Sequence, residues 1–272
     1  MSLAGTLVLD RYRIVRPFAR GASSVVYLAF DEFGKPFAVK LFHAGLAARA
    51  DREFLVAQRL VHPNLNRAVA RVVVEGLPGV LLEFAPGVRL SDWPGKNGGP
   101  DELVPVLRGV VAGLAQVHAL GFVHRDLKPE NVIVHDAQGL GRRQVSARVV
   151  DFDLSGPSGE VFRDPVAPGT VAFISPEAAL GKPLTPASDL YSLGVLAYWA
   201  LAGRLPFDGE PREVLRAHAY SAPDQAPLAR HGELGDLTAR LLAKAPADRP
   251  HGLQALDVLN RMYAPAQAAF AT

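Results

Sequence analysis

Leu103, Val106, Leu107, Val110, Leu114, Val117 and Leu120 recur at the spacing that lines up one face of an α-helix, and they predict a helix there. The stretch Ser188–Ala202 is apolar nearly all round, which places a second helix at the centre of a domain rather than on its surface. Leu234–Leu242 and Leu253–Met262 read as further helices. Ahead of these the period changes. Tyr12–Phe18, Val25–Phe30 and Pro36–Phe42 are short runs rich in β-branched and aromatic residues and predict strands, the last two joined by a hairpin through Asp31-Glu32-Phe33-Gly34-Lys35. Ala47–Leu60 has helical spacing and is ended by Pro63. Val72–Val74 and Val80–Phe84 predict two more strands, joined by Gly76-Leu77-Pro78-Gly79. The expected fold class is α+β in two lobes: residues 1–85 form a small antiparallel sheet with one helix, and residues 86–272 form a larger, mainly helical lobe, with the boundary at Ala85-Pro86.

Composition narrows the function classes. The chain has 272 residues, enough for a substantial core, and is 49% hydrophobic and 21% charged, as a globular protein is. The net charge is only +2 and Lys and Arg are dispersed, so no nucleic-acid partner is expected. The absence of cysteine excludes disulfides, Cys–zinc sites and thiol nucleophiles. The longest apolar stretch, around Leu193–Ala202, contains Gly194 and is too short to span a bilayer, and Met1–Asp10 lacks the charged start and apolar core of a signal peptide. A cytoplasmic location with no membrane partner for this chain is the expectation.

The densest chemistry lies in His124-Arg125-Asp126-Leu127-Lys128-Pro129-Glu130-Asn131, bounded by apolar runs. The Asp126 carboxylate can accept a proton, Lys128 two residues on can neutralise a phosphate, and Asn131 offers a hard amide oxygen suited to Mg²⁺. Base, cation and metal ligand on one short loop are the parts that phosphoryl transfer needs. Upstream, Phe18-Ala19-Arg20-Gly21-Ala22-Ser23-Ser24-Val25-Val26-Tyr27 lies between two predicted strands, and Lys40 follows in an otherwise apolar strand. A buried lysine needs a counter-ion. Glu53 in the next helix is the natural one. Downstream, Asp151-Phe152-Asp153 follows Val149-Val150, and a carboxylate just after a strand is a fit ligand for a phosphate-bound Mg²⁺.

These motifs, in this order, resemble the bacterial members of the eukaryotic-type (Hanks-type) serine/threonine protein kinases. The octapeptide is similar to the catalytic loop of that family, Lys128 being the serine/threonine mark. Gly169-Thr170 followed by Ser175-Pro176-Glu177 resembles the activation segment and its closing motif, and Ser188-Asp189-Leu190-Tyr191-Ser192-Leu193-Gly194 the start of the central helix of the large lobe. The resemblance runs from about Tyr12 to Met262. It implies the protein kinase fold with ATP in the cleft between the lobes. Gly21 and Ser24 would cover the phosphates. Val26, Ala38 and Ile133 would sandwich the adenine with Leu82 behind, and the backbone of Glu83 and Ala85 would bind its edge. Lys40 paired with Glu53 would hold the α- and β-phosphates. Asp126 would deprotonate the substrate hydroxyl and Lys128 would stabilise the γ-phosphate. Asn131 and Asp151 would hold Mg²⁺, or Mn²⁺ as the alternative metal. Thr170 would shape the substrate site, Asp189 would accept backbone N–H bonds from the catalytic loop, and Arg249 would pair with Glu177. Protein substrates carrying Ser or Thr are implied, and so is self-association for autophosphorylation.

The chain departs from the family pattern in places. Only the middle glycine of the phosphate-covering loop survives, as Gly21, with Ala19 and Ser24 at the other positions. Asp153 stands where the family has glycine and is expected to face solvent; aspartate tolerates the positive φ of such a turn. Between Phe152 and Gly169 the only hydroxyls are Ser155 and Ser158, so either Glu160 or Asp164 pairs with Arg125 in place of a phosphate, or both acids are solvated. Two other functions compete: a pseudokinase that binds ATP without turnover, and a small-molecule kinase of the aminoglycoside or choline phosphotransferase type, whose Asp-x-Asp resembles Asp151-Phe152-Asp153.

Overall fold

The computed structural model describes residues 3–97, 99–139, 142–163 and 168–268. The chain forms two compact units: Met1–Ala85 together with Asp151–Ser155, and Pro86–Val150 together with Gly156–Thr272.

In the first unit, β1 (Leu7–Val8), β2 (Tyr12–Arg20), β3 (Ser24–Phe30), β4 (Pro36–Phe42), β5 (Ala68–Val74) and β6 (Leu77–Glu83) form one antiparallel sheet in the order β1-β2-β3-β4-β6-β5. One helix, α1 (Ala47–Ala57), packs on β4, β5 and β6. The period-two alternation of β4 separates its faces. Phe37, Val39 and Leu41 enter a core with Tyr12, Ile14, Ala29, Val72, Val74 and Leu81, closed by Leu3 and Val8. Ala38 and Lys40 take the opposite face. The register Val26↔Lys40 and Ala38↔Leu82 puts Val26 and Leu82 on that face beside them.

Two expectations for this unit need correction. The connection between the last two strands is not Gly76-Leu77-Pro78-Gly79 but a tight turn at Glu75 and Gly76, with φ of 49° and 76°. Two successive positive φ values suit the right-handed twist of a hairpin, so both strands run longer than their hydrophobic runs. Pro78 is tolerated inside β6 because the pairing with β4 begins only at Gly79. Helix α1 stops at Ala57 rather than Leu60. The last residues tighten into bonds from Arg59 N–H to Val56 O (3.1 Å) and from Leu60 N–H to Ala57 O (3.3 Å).

The second unit is mainly helical. Its strands are β7 (Val88–Arg89), β8 (Phe122–Val123), β9 (Val132–Gly139), β10 (Arg142–Val149) and β11 (Gly156–Pro157), in a three-stranded sheet β10-β9-β7 and a two-stranded pair β11-β8. Its helices are α2 (Pro100–Ala119), α3 (Pro168–Val171), α4 (Pro176–Ala179), α5 (Pro186–Ala202), α6 (Pro211–Tyr220), α7 (Gly232–Leu241) and α8 (Gly252–Ala268). Helix α2 packs on α8 and β10, and α5 packs on α7. Helix α5 is buried along almost its whole length, because both its apolar residues and its first polar ones are enclosed. Its Gly194 lies where an added Cβ would stand 2.8 Å from Leu241 Cβ, so α7 can come close. The β9–β10 hairpin was not expected, although Val132–Val134 and Val145–Val149 carry its alternation. Helix α8 runs to Ala268; 269–272 lie outside the described residues. No helix among the described residues is long and apolar enough to cross a membrane.

A methyl group at Gly79 would sit 2.6 Å from the Lys40 carbonyl oxygen and 2.5 Å from Leu41 Cδ2. Gly79→Ala is therefore expected to destabilise the protein by about 1–3 kcal/mol, the usual cost of overpacking. An unchanged midpoint in denaturant would contradict this close approach of β6 to β4.

Candidate active site

In the first unit a chain of charges centres on Lys40. Its Nζ lies 2.8 Å from Glu53 Oε2 and 2.6 Å from Asp151 Oδ1, and the side chains of Lys40 and Glu53 are only 4% and 1% exposed. Lys40 points to this face because β4 alternates, and Glu53 meets it because α1 packs on the same face. Burial alone would push the ammonium down, but the Asp151, Glu53 and Asp153 carboxylates outweigh it and raise the pKa, so Lys40 is a fixed cation. Asp151 Oδ1 is bound to that cation, and its backbone takes a φ of 68°.

Asp153 does not face solvent. It is 3% exposed, Arg49 Nη1 lies 3.4 Å from its Oδ2, and Arg52 Nη1 donates to its carbonyl at 3.2 Å. Two arginines one turn apart on α1 draw it inward. Burial, with the neighbouring Asp151 charge, pushes its carboxyl up to about 8. The positive φ expected at this position falls at Asp151 instead, so glycine is not needed at 153.

The other proposed nucleotide residues of this unit are spread along the same sheet. Gly21 is exposed in the β2–β3 turn and donates its N–H to Ser24 O at 2.9 Å, whereas Ser24 is buried at the start of β3. Leu82 is buried, while Val26, Ala38, Glu83 and Ala85 are half-buried. Ile133 lies in the second unit, on β9, paired with Arg89.

In the second unit the catalytic-loop residues converge. Lys128 Nζ donates to both carboxylate oxygens of Asp126, at 3.0 and 2.8 Å, and to Thr170 Oγ1 at 2.9 Å. Thr170 Oγ1 in turn donates to Asp126 Oδ1 at 2.9 Å. Asn131 Nδ2 donates to Asp126 O at 2.8 Å and to Oδ2 at 3.0 Å. The amide nitrogen is thus consumed, which leaves the Asn131 carbonyl oxygen as the end free to meet a cation. That donor fits Mg²⁺, as does the Asp151 carboxylate. Among the described residues no group of three or more His, Cys, Asp or Glu could hold a metal ion.

The loop is held from below. Asp189, near the start of α5, is 1% exposed and accepts the backbone N–H groups of His124 (2.8 Å) and Arg125 (3.0 Å). Burial would raise its pKa, but the hydrogen bond to His118 Nε2 at 2.7 Å and the backbone donors lower it. His118 was not singled out in the sequence; its position in the last turn of α2 gave no chemical signal. Arg125 takes a φ of 71°. Its Nη2 donates to Pro157 O at 2.7 Å and lies 3.5 Å from Glu160 Oε2, with Glu160 59% exposed. Gly156 makes room, since a Cβ there would stand 2.4–2.6 Å from the guanidinium. The alternative partner, Asp164, lies outside the described residues. Glu177 and Arg249 form a bidentate pair at 2.7 and 2.8 Å, joined by Ser188 Oγ at 2.7 Å, an additional partner the sequence reading missed.

Residues 12–263 match the family model described as "Protein kinase domain". Among curated relatives, the serine/threonine-protein kinase pkn2 of Myxococcus xanthus is 38% identical over 92% of this chain and 32% of its own length. PkaA of Streptomyces coelicolor is 34% identical over 89% of this chain and 48% of its own. PknL of Mycobacterium bovis is 32% identical over 91% of this chain and 64% of its own. The chain thus spans between a third and two thirds of the length of these relatives.

Breaking the buried Glu177–Arg249 pair leaves a carboxylate with one hydroxyl for company. Arg249→Met is expected to cost about 3–5 kcal/mol. Burial raises the Glu177 pKa, but the Arg249 hydrogen bonds and charge bring it below the ordinary value. With a folded pKa below the unfolded one, its stabilisation is full above the ordinary carboxylate range and is lost as pH falls through the folded value. Stability measured from pH 7 down to pH 3 should therefore fall more steeply in the wild type than in Arg249→Met. Parallel curves would contradict the pairing.

Proposed function

Because the chain belongs to the protein kinase domain family, we propose that it transfers the γ-phosphate of ATP to Ser or Thr hydroxyls of protein substrates, itself included. The observation that carries this reading is the group formed by Asp126, Lys128, Asn131 and Thr170. A carboxylate that must accept a hydroxyl proton needs an open oxygen lone pair and a nearby cation for the phosphoryl oxygens. Asp126 and Lys128 provide both. Lys128 is only donor, so when phosphate oxygens arrive it can move from Asp126 to them and free the carboxylate. Thr170 Oγ1, bound to both, marks where a substrate hydroxyl would lie.

In the same reading Lys40 binds the α- and β-phosphate oxygens, and Glu53 fixes its direction. Asp151 now answers Lys40 and would turn to the metal. Mg²⁺ supplies neutralisation of the phosphate charge, held by Asn131 and Asp151. Gly21 and Ser24 lie over the phosphates, and Val26, Ala38, Leu82 and Ile133 contact the adenine, whose edge binds the Glu83 and Ala85 backbone. A cytoplasmic location goes with ATP as donor. Glu160 at Arg125 supports a loop that is competent without phosphorylation, because the acid already sits where a phosphate would; at this exposure the pair contributes at most about 1 kcal/mol.

Incubated with labelled ATP and Mg²⁺, the wild type is expected to label protein on Ser or Thr and Asp126→Asn to lose at least about 100-fold in rate. Labelling that is equal in both, or ATP binding with no transfer, would overturn the assignment. Phosphatase treatment of the purified protein should leave its activity unchanged; abolished activity would remove the role given to Glu160.

A further inference from the structure

Beneath the segment that carries Thr170 runs a line of polar groups to which phosphoryl transfer as described assigns no task. His218, on α6, is fully buried. Its Nδ1 lies 3.0 Å from Tyr191 Oη and its Nε2 lies 3.1 Å from the Ala172 carbonyl oxygen. Lys244 Nζ lies 3.2 Å from Tyr191 Oη and donates to the His218 carbonyl at 2.8 Å. Phe207 closes the group, with its ring edge-on to His218 at 5.0 Å and Lys244 4.7 Å from its centroid.

The direction of the line is fixed at both ends. An ammonium only donates and a carbonyl only accepts. Lys244 therefore donates to Tyr191, the Tyr191 hydroxyl donates to His218 Nδ1, and His218 Nε2–H donates to Ala172. Of the two neutral tautomers, only the one with its proton on Nε2 satisfies all three bonds. Burial, and then the Lys244 charge, push His218 down to about 4, so the ring keeps that form through the neutral range. An apolar side chain could fill the same volume without burying an ammonium beside it, and burial does hold the Lys244 pKa down to about 8. The arrangement makes sense by what it grips.

We propose that His218 is a positioning residue for the protein substrate, fixing through Ala172 the backbone that presents Thr170 to Asp126. Ala172 lies two residues beyond Thr170, and the next carbonyl, Phe173 O, accepts Ser192 Oγ at 2.7 Å. Two successive carbonyls leaving Thr170 are thus pinned from α6 and α5, while the Thr170 hydroxyl is bound to Asp126 at 2.9 Å. Loss of the Ala172 bond frees the segment on which a peptide would rest and leaves the Lys40 group untouched. The inference rests on the kinase reading for its consequence, but not for its geometry.

Three measurements test it. Long-range ¹H–¹⁵N spectra of the nucleotide-free protein should show the His218 imidazole as the Nε2–H tautomer from pH 8 to pH 5.5. The Nδ1–H tautomer, or titration near pH 6.5, would overturn the relay whatever the activity. Amide exchange across residues 170–173 should quicken at least tenfold in His218→Leu and stay near wild type in His218→Gln, whose amide can still donate to Ala172. In peptide phosphorylation, His218→Leu should raise the peptide KM about tenfold with the KM for ATP unchanged, and His218→Gln should recover most of the loss. Equal effects of Leu and Gln, or equal shifts in both KM values, would make His218 merely structural. If His218→Leu does not fold, Tyr191→Phe takes its place. It removes the donor to Nδ1, and should mix the tautomers and quicken the same amides. A wild type that phosphorylates no peptide would sink the kinase reading, and the spectra and exchange rates would still decide the relay.

Discussion

The buried carboxylate of Asp189 fixes the path of the catalytic loop in the second unit. It lies in the first turn of α5, where the first backbone N–H groups favour a negative charge. Two backbone donors from the catalytic loop and the ring of His118 complete its shell. A buried charge is tolerated only when so enclosed, and the enclosure dictates the path of the loop. Arg125 is bent into a left-handed backbone conformation because its N–H must reach Asp189 while its guanidinium reaches Pro157. That bend puts Asp126 beside Lys128 and Asn131. A strained φ persists where several contacts over-determine it, and this one has three.

Polar side chains among the first six residues after the N1 proline of α5 do similar work for other segments. Ser188 bonds Glu177, Asp189 the catalytic loop, Tyr191 the buried His218, and Ser192 the Phe173 carbonyl. Each of these polar side chains reaches a different stretch of chain, and those at Glu177, the catalytic loop and Phe173 carry or lie close to residues of the candidate site. The apolar remainder of the helix, packed on α7, is the rigid base that makes such reach consistent. Precision at Asp126 and Thr170 thus comes from a hydrophobic helix whose entry turn is polar.

In the first unit the same physics acts through a sheet. Lys40 is buried in the middle of a strand, and its charge is compensated from α1 and from the Asp151 segment. Arg49 and Arg52 also reach Asp153, at its carboxyl oxygen and at its backbone carbonyl. The helix is thereby tied to the segment that carries Asp151 by charge as well as by packing. Removing one member of so dry a cluster would expose the others to their full desolvation cost.

Periodicity was enough to read the strands around Lys40 and the helices α2, α5, α7 and α8, because burial of one face imposes its period on the residues directly. The motifs that carry the family likeness were legible too, since such chemistry restricts each position to a few side chains. The inward turn of Asp153, the partnership of His118 with Asp189, and the line from Lys244 to Ala172 were not legible. Each joins positions that are far apart in the chain and carry no period, and an aspartate or histidine has the same identity whether it faces water or a buried partner. Which it meets is decided only when the helices pack and the local dielectric is set. The amino-acid order therefore determined the elements and the inventory of reactive groups, and the tertiary structure decided which of those groups are enclosed, which are charged, and which hold the others in place.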